Sequence, residues 1–230
     1  MDIDIFELRF TANLDFFQNK ETIAKELEKL FDYWEVDSTT IKLANNAKNY
    51  SVILECKRIA FSSLNLKQEE VSNLFNRIIE TYKKYVEIKK VERIGYKKTS
   101  TDKLEMSLSE ANKLISDKLY ANKKDIEKLL GKISDLALVI DSEEEDYFFH
   151  HRDGAMETDQ ARENMWGLIP KTIKESSFPI FEKMPKKSTY FFSDIDCFKV
   201  NQKLEIYKDF PSFVKKVTLL KKDIKKYLIR

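Results

Sequence analysis

Phe6, Leu8, Phe10, Ala12 and Leu14 alternate with Glu7, Arg9, Thr11, Asn13 and Asp15, the period of a strand with one buried and one wet face. After Asn19, which offers itself as an N-cap, Ile23, Leu27, Leu30, Phe31 and Trp34 recur at helical spacing, so a helix is predicted to cover that strand. From Thr40 the pattern returns to strands: Ile41 and Leu43, an Asn45-Asn46 turn, Tyr50 to Cys56, a turn near Lys57-Arg58, then Ile59 and Phe61. This is the pattern of an antiparallel meander. Val71, Leu74, Phe75, Ile78, Ile79, Tyr82 and Tyr85 make one long apolar stripe, predicting a helix that packs across a sheet, and Val91 to Lys97 closes the unit with another strand.

Residues 98–106 are polar and read as a linker, followed by a capping box at Ser107 and Glu110. Helical spacing resumes through Leu108, Ala111, Leu114, Ile115 and Leu119, with a shorter helix over 126–130 ending near Gly131. Leu136 to Asp141 and Tyr147 to His151 predict two strands joined by an acidic turn, with a further turn at Asp153-Gly154. Residues 157–164 are polar and fit no period. The stretch 168–187 holds Pro170, Pro179 and Pro185 and reads as an irregular loop packed by Ile169, Ile173, Phe178 and Phe181. It leads to an aromatic strand over Tyr190 to Val200, and a last helix begins at Pro211 with Phe213, Val217, Leu220, Ile224, Tyr227 and Leu228 facing the core. The predicted fold class is α+β: mainly antiparallel sheet in two related halves, 1–100 and 101–230, covered by long amphipathic helices.

Composition narrows the function classes. The 230 residues carry 41 Lys and Arg against 39 Asp and Glu, so no global field points to nucleic acid or membrane. With 4 Gly there is no glycine-rich phosphate loop. Cys56 and Cys197 both fall in strand-like runs and read as reduced core thiols, which suits the cytoplasm. The N-terminal stretch is acidic where a secretory leader needs Lys or Arg, and no run reaches membrane-spanning length.

The candidate chemistry centres on Asp194 and Asp196. Alternation puts both on one strand face with Phe192 and Phe198, while Phe191, Ser193, Ile195 and Cys197 take the other. Two carboxylates about 7 Å apart on a half-buried surface repel, so a metal or an internal Arg or Lys must sit over them. Asp-Ile-Asp followed by Cys-Phe-Lys resembles the metal-binding strand of palm domains in cyclases and polymerases, where paired carboxylates hold Mg²⁺ or Mn²⁺ on phosphate oxygens. A palm needs more helices and a further acidic hairpin after that strand, and only 30 residues follow Val200 here, so the local likeness reads as a decoy.

The strand-helix-meander-helix-strand first half, Arg93-Ile94-Gly95-Tyr96-Lys97 and the Asp-Ile-Asp strand feeding a terminal helix together resemble an uncharacterised family of sporadically distributed bacterial proteins. Members often show Arg-x-Gly-x-Arg at the first site, where this chain has Lys97 in place of the second Arg. The resemblance implies no activity. It suggests Arg93 as the cation that forms a structural ion pair with Asp194 and Asp196, and an association with defence or mobile-element genes.

His151 can share a side with Asp153 and is a candidate general base, although a surface histidine beside a solvated acidic turn is the plainer reading, and the sequence has only 2 His for any zinc or manganese site. No nucleophile elbow is visible. On the last helix Lys215, Lys222, Lys225 and Lys226 lie opposite the apolar stripe with Lys216 and Lys221 on its flanks, a face that could track phosphates and that also serves simply to solubilise a core helix. The expected function is therefore a cytoplasmic, non-catalytic interaction protein with another protein as partner, no membrane and no cofactor. The alternatives are a Mg²⁺- or Mn²⁺-dependent phosphoryl-transfer or nuclease-like enzyme using Asp194 and Asp196, and a nucleic-acid-binding protein using the last helix.

Overall fold

The structure is a computed structural model that describes residues 1–120, 127–128 and 135–229. Nine strands form one antiparallel sheet: β1 (Asp2–Phe10), β2 (Tyr33–Val36), β3 (Thr40–Asn45), β4 (Tyr50–Glu55), β5 (Arg58–Leu64), β6 (Val91–Leu104), β7 (Ala137–Glu144), β8 (Tyr147–Glu157) and β9 (Thr189–Gln202). Their order across the sheet is β2-β3-β4-β5-β1-β6-β9-β8-β7. The class is α+β, as the alternation of strand and helix periods predicts. The two halves of the chain share this sheet, because β6 and β9 pair from Val91 opposite Gln202 to Leu104 opposite Thr189.

Helices lie on both faces. On the front face α1 (Asp15–Leu27), α2 (Gln68–Lys83) and α6 (Phe210–Ile229) bury Phe16, Ile23, Phe75, Ile79, Phe213 and Val217 against Phe6, Leu8, Phe61, Tyr96, Ile195 and Cys197. The spacing of those apolar residues is what makes each helix one-sided. Beside them α3 (Leu108–Leu119) packs Ala111 and Ile115 on Ala155 and Phe191. Its first turn is closed by the expected capping box, with Glu110 N–H donating to Ser107 and Ser107 N–H donating to the Glu110 carboxylate at 2.8 Å. On the back face α4 (Thr158–Leu168) and α5 (Lys174–Glu182) cover only one end of the sheet, over Ile3, Leu64, Met156, Tyr190 and Phe192.

Several local expectations give way. The first helix starts at Asp15 rather than at Asn19, because Asn13 accepts the Asp15 N–H at 2.9 Å, while the Asn19 amide donates to Asp15 O and Tyr85 O. Trp34 belongs to β2 and is exposed, and Tyr227 is exposed while Val214 is buried in its place. The 98–106 linker is strand up to Leu104: in the middle of the sheet Lys98 to Thr101 are buried, Lys98 paired with Asp4 and Thr99 with Asp194. Asp153-Gly154 lies within β8, where Gly154 admits the neighbouring strand; a Cβ there would meet Leu136 O at 2.8 Å. The stretch 157–164 falls largely in α4. The proline-rich loop is largely helical, a 3-10 turn over Lys171–Ile173 running into α5, with Pro179 inside α5 and Ser176 and Ser177 turned back onto Ile173 O. The helix expected over 126–130 lies, apart from residues 127 and 128, outside the described residues.

Candidate functional site: the open back face

Beyond α4 and α5 the back-face side chains of Glu7, Arg9, Arg93, Lys97, Asp194, Asp196 and Arg152 are half-buried to exposed, while Gly95 and Thr99 are buried between them. Register decides which side chains meet there. Lys97 is opposite Asp196, Thr99 opposite Asp194, Gly95 opposite Phe198 and Glu7 opposite Gly95, so the Arg93, Gly95, Lys97 side of β6 lies between the Asp194, Asp196 side of β9 and the wet side of β1.

Arg93 holds Asp196 in a two-pronged contact, Nη2 donating to Oδ2 at 2.7 Å and to Oδ1 at 3.0 Å, while Nη1 donates to Glu7 Oε1 at 3.0 Å. Its guanidinium lies over the Phe198 ring, 4.5 Å from the centroid. Gly95 is what allows this: a Cβ would sit 3.1 Å from Arg93 Nη1 and 3.1 Å from Phe198 Cβ. Asp194 is bound separately. Lys97 Nζ is 2.8 Å from its Oδ2 and Thr99 Oγ1 donates to its Oδ1 at 2.6 Å. All four carboxylate oxygens are thus engaged from within the chain. Burial nevertheless holds the Asp196 carboxyl above its ordinary range, with Arg93 and Lys97 pulling it down and Asp194 and Glu7 adding to the rise.

The ion pairs continue sideways. Glu7 also meets Arg9 Nε at 2.7 Å and Arg58 Nη1 at 3.8 Å, and Arg58 reaches Glu55 at 2.7 Å. On the other flank Arg152 and His150 face Asp194 and Asp196 in register, and His150 Nδ1 is 2.7 Å from Asp141 on β7. A belt of six acids (Glu55, Glu7, Asp196, Asp194, Asp141, Glu143) and five permanent cations (Arg58, Arg9, Arg93, Lys97, Arg152) therefore crosses seven strands. A shallow groove of about 450 Å³ opens on it, floored by Gly95 and walled by Ile5, Arg9, Arg93 and Phe198. Phe148 and Phe198 stack at 5.5 Å beside the groove.

The other candidates separate from this site. His151 is on the front face and buried, not a surface histidine; its Nε2 is 3.4 Å from Ser142 Oγ, and burial, helped by His150, lowers its pKa. Buried β8 positions face inward, which is why the acidic turn nearby misleads. Asp153 is also fully buried and in register with Ser193 on β9. Neither residue joins Asp194 or Asp196 on the back face. Among the described residues no group of three or more His, Cys, Asp or Glu is placed to hold a metal. Of the helix lysines, Lys225 is bound to Asp102 at 3.0 Å, Lys221 to Asp102 at 3.3 Å and Lys216 to Glu144 at 2.6 Å. That leaves Lys215, Lys222 and Lys226 facing solvent.

Cys197 is buried on β9, and burial pushes its thiol up to about 12, while Cys56 is half-buried in the turn after β4 and packs on the main core. Neither is in a disulfide. The sequence did not single out Glu7, Arg9 or Arg58 for this site; their signal was only the wet side of a strand whose neighbours were not known. Among the described residues no helix is long and apolar enough to cross a membrane. No protein-family model matches the chain, and no curated protein is significantly similar to it in sequence.

Proposed function

We propose that this chain is a non-catalytic binding protein of the bacterial cytoplasm that engages a protein partner through the open back face of its sheet. The observation that carries this reading is the engagement of all four oxygens of Asp194 and Asp196 by Arg93, Lys97 and Thr99, on the part of the back face that α4 and α5 leave open. A divalent ion would have to displace a two-pronged guanidinium and an ammonium before it met a carboxylate. The belt's balance of acids and cations gives no field for a polyanion, since nucleic-acid affinity scales with the phosphates neutralised. A stacked phenylalanine pair with an Arg over one ring is instead the chemistry of a protein-interaction hot spot, apolar surface rimmed by matched charge. The resemblance to a sporadically distributed bacterial family supports a role alongside defence or mobile-element genes.

Two measurements test this. Calorimetric titration with Mn²⁺ is expected to be silent; one-to-one binding lost in Asp194→Asn would restore the enzyme reading. Tagged wild-type protein is expected to retain a stoichiometric partner from its native lysate, with retention kept in Lys222→Ala and lost in Phe148→Ala/Phe198→Ala after folding is verified. Retention indifferent to the phenylalanine pair would remove the back face from the proposal.

A further inference from the structure

The sheet ends on β7, which pairs with β8 alone among the described residues. Edge strands expose a row of unused N–H and C=O groups, and proteins blunt them with shortness, Pro, charged side chains (above all Lys) or bulges. At the opposite edge β2 is blunted by length, 4 residues against 8 in β7. β7 is protected by charge only in its second half, through Asp141, Glu143 and Glu144; its register with β8 runs from Ala137 to Glu144 without a shift, and it contains neither Pro nor Lys. Seven of its eight residues are exposed, and Val139 and Ile140 remain 57% and 43% accessible although both are β-branched and apolar. The strand is divided along its length, with Ala137 to Ile140 apolar and Asp141, Glu143 and Glu144 acidic.

We infer that β7 is a strand-addition site for an extended segment of another protein that carries Lys or Arg opposite Asp141, Glu143 and Glu144 and β-branched residues opposite Val139 and Ile140. Main-chain hydrogen bonds to the outer edge supply affinity in this mode, and alternate side chains supply selectivity. The charge pattern decides the occupant. Two-fold pairing with a second copy over the whole strand would set Asp141 against Ile140 and Glu143 against Leu138, and sliding the pair towards the acidic end would set Asp141 against Glu143. A basic-then-apolar segment running antiparallel avoids both. His150 and Lys216 already touch Asp141 and Glu144 from the inner side, yet those carboxylates are 83% and 65% exposed and keep oxygens for a further cation. The edge site shares Asp141 with the back-face belt, but Phe148→Ala/Phe198→Ala leaves the outer edge of β7 intact, so failure of the one reading is distinguishable from failure of the other.

The probe is a fluorescein-labelled, C-terminally amidated peptide Lys-Lys-Thr-Lys-Val-Val-Val, read by fluorescence anisotropy at moderate salt. Saturable binding is expected, with the alternate β7 amides that point away from β8 gaining protection from hydrogen exchange. N-methylation of alternate peptide bonds, which removes ladder donors and leaves every charge, should weaken binding roughly tenfold or more. Asp141→Lys/Glu143→Lys, two exposed changes, should do the same. Equal binding of the N-methylated peptide would reduce the effect to charge attraction and overturn strand addition. So would protection gained elsewhere, absence of binding, or a dimer of the free protein that Ile140→Lys dissolves.

Discussion

Replacing Asp153 by Asn is expected to stabilise the protein at neutral pH and to do little at pH 4. Asp153 is fully buried on β8, and neither carboxyl oxygen has a hydrogen-bond partner. Ser193 faces it across the ladder and offsets part of the burial without closing a bond of normal geometry, and the charge of Asp194 on the far side of β9 adds to the strain. Burial pushes the carboxyl up to about 6, against an ordinary value of 3.8. Between those two values the folded protein binds a proton that the unfolded chain has lost, so stability falls as pH rises through the window and the loss is complete above pH about 6. Carrying the carboxyl from 3.8 to about 6 corresponds to roughly 3 kcal/mol.

The assay is urea denaturation of wild type and Asp153→Asn at pH 4, 5, 6 and 7. The other titrating carboxylates contribute to both proteins and cancel in the difference. That difference should grow by roughly 2.5 kcal/mol in favour of Asn from pH 4 to 7, since the unfolded carboxyl is already partly ionised at pH 4, which for a chain of this size is a gain of roughly 5–10 °C in Tm. A difference flat with pH, or Asn destabilising at pH 7, would show that Asp153 is charged and compensated in the native state, and the reasoning from burial would fail.

Three further outcomes follow from named contacts. Arg93→Ala and Asp196→Asn should each destabilise by about 1–3 kcal/mol, because the contact is charge-assisted and only partly exposed, and the double variant should fall well short of the sum in a denaturation cycle; strict additivity would mean the pair is not coupled. Glu145 holds φ 58° in the two-residue turn between β7 and β8, so Glu145→Gly should raise stability by roughly 1 kcal/mol, visible as a higher denaturant midpoint at unchanged slope. Cys197, buried and with its thiol pushed up to about 12, should remain unmodified by an aromatic disulfide reagent at pH 8 until denaturant is added, and modification at the rate of a free thiol would contradict the packing around β9.

Period alone located most elements, since one-sided helices such as α2 and strands such as β1 and β9 have one wet and one dry face. It failed where a sheet this wide buries polar side chains on its inner strands. Lys98 to Thr101 looked like a linker because polar residues are assumed to be wet, yet β6 has neighbours on both sides, and Asp4 and Asp194 give Lys98 and Thr99 their partners. Asp153-Gly154 looked like a turn for the same reason. Alternation showed that Asp194 and Asp196 share a face and need a cation, and the family resemblance suggested Arg93 for both; the register gives Arg93 to Asp196 alone and Lys97 to Asp194. Glu7, Arg9 and Arg58 were not legible, because their place in the belt depends on β1 lying between β5 and β6, an order that no single segment encodes.

That dependence bears on function. A metal-binding carboxylate pair would be a property of one strand and could be read from one strand. Here the same two aspartates are neutralised by their neighbour β6, and what the back face then presents is a surface assembled by strand order: a near-neutral belt across seven strands, a stacked aromatic pair beside it, and at its end an exposed edge. Exchanging Arg93 and Asp196 for each other should therefore preserve much of the fold, since the ion pair survives, while weakening the binding proposed for the back face. A metal centre would not tolerate that exchange, because a cation would then stand where a ligand is needed.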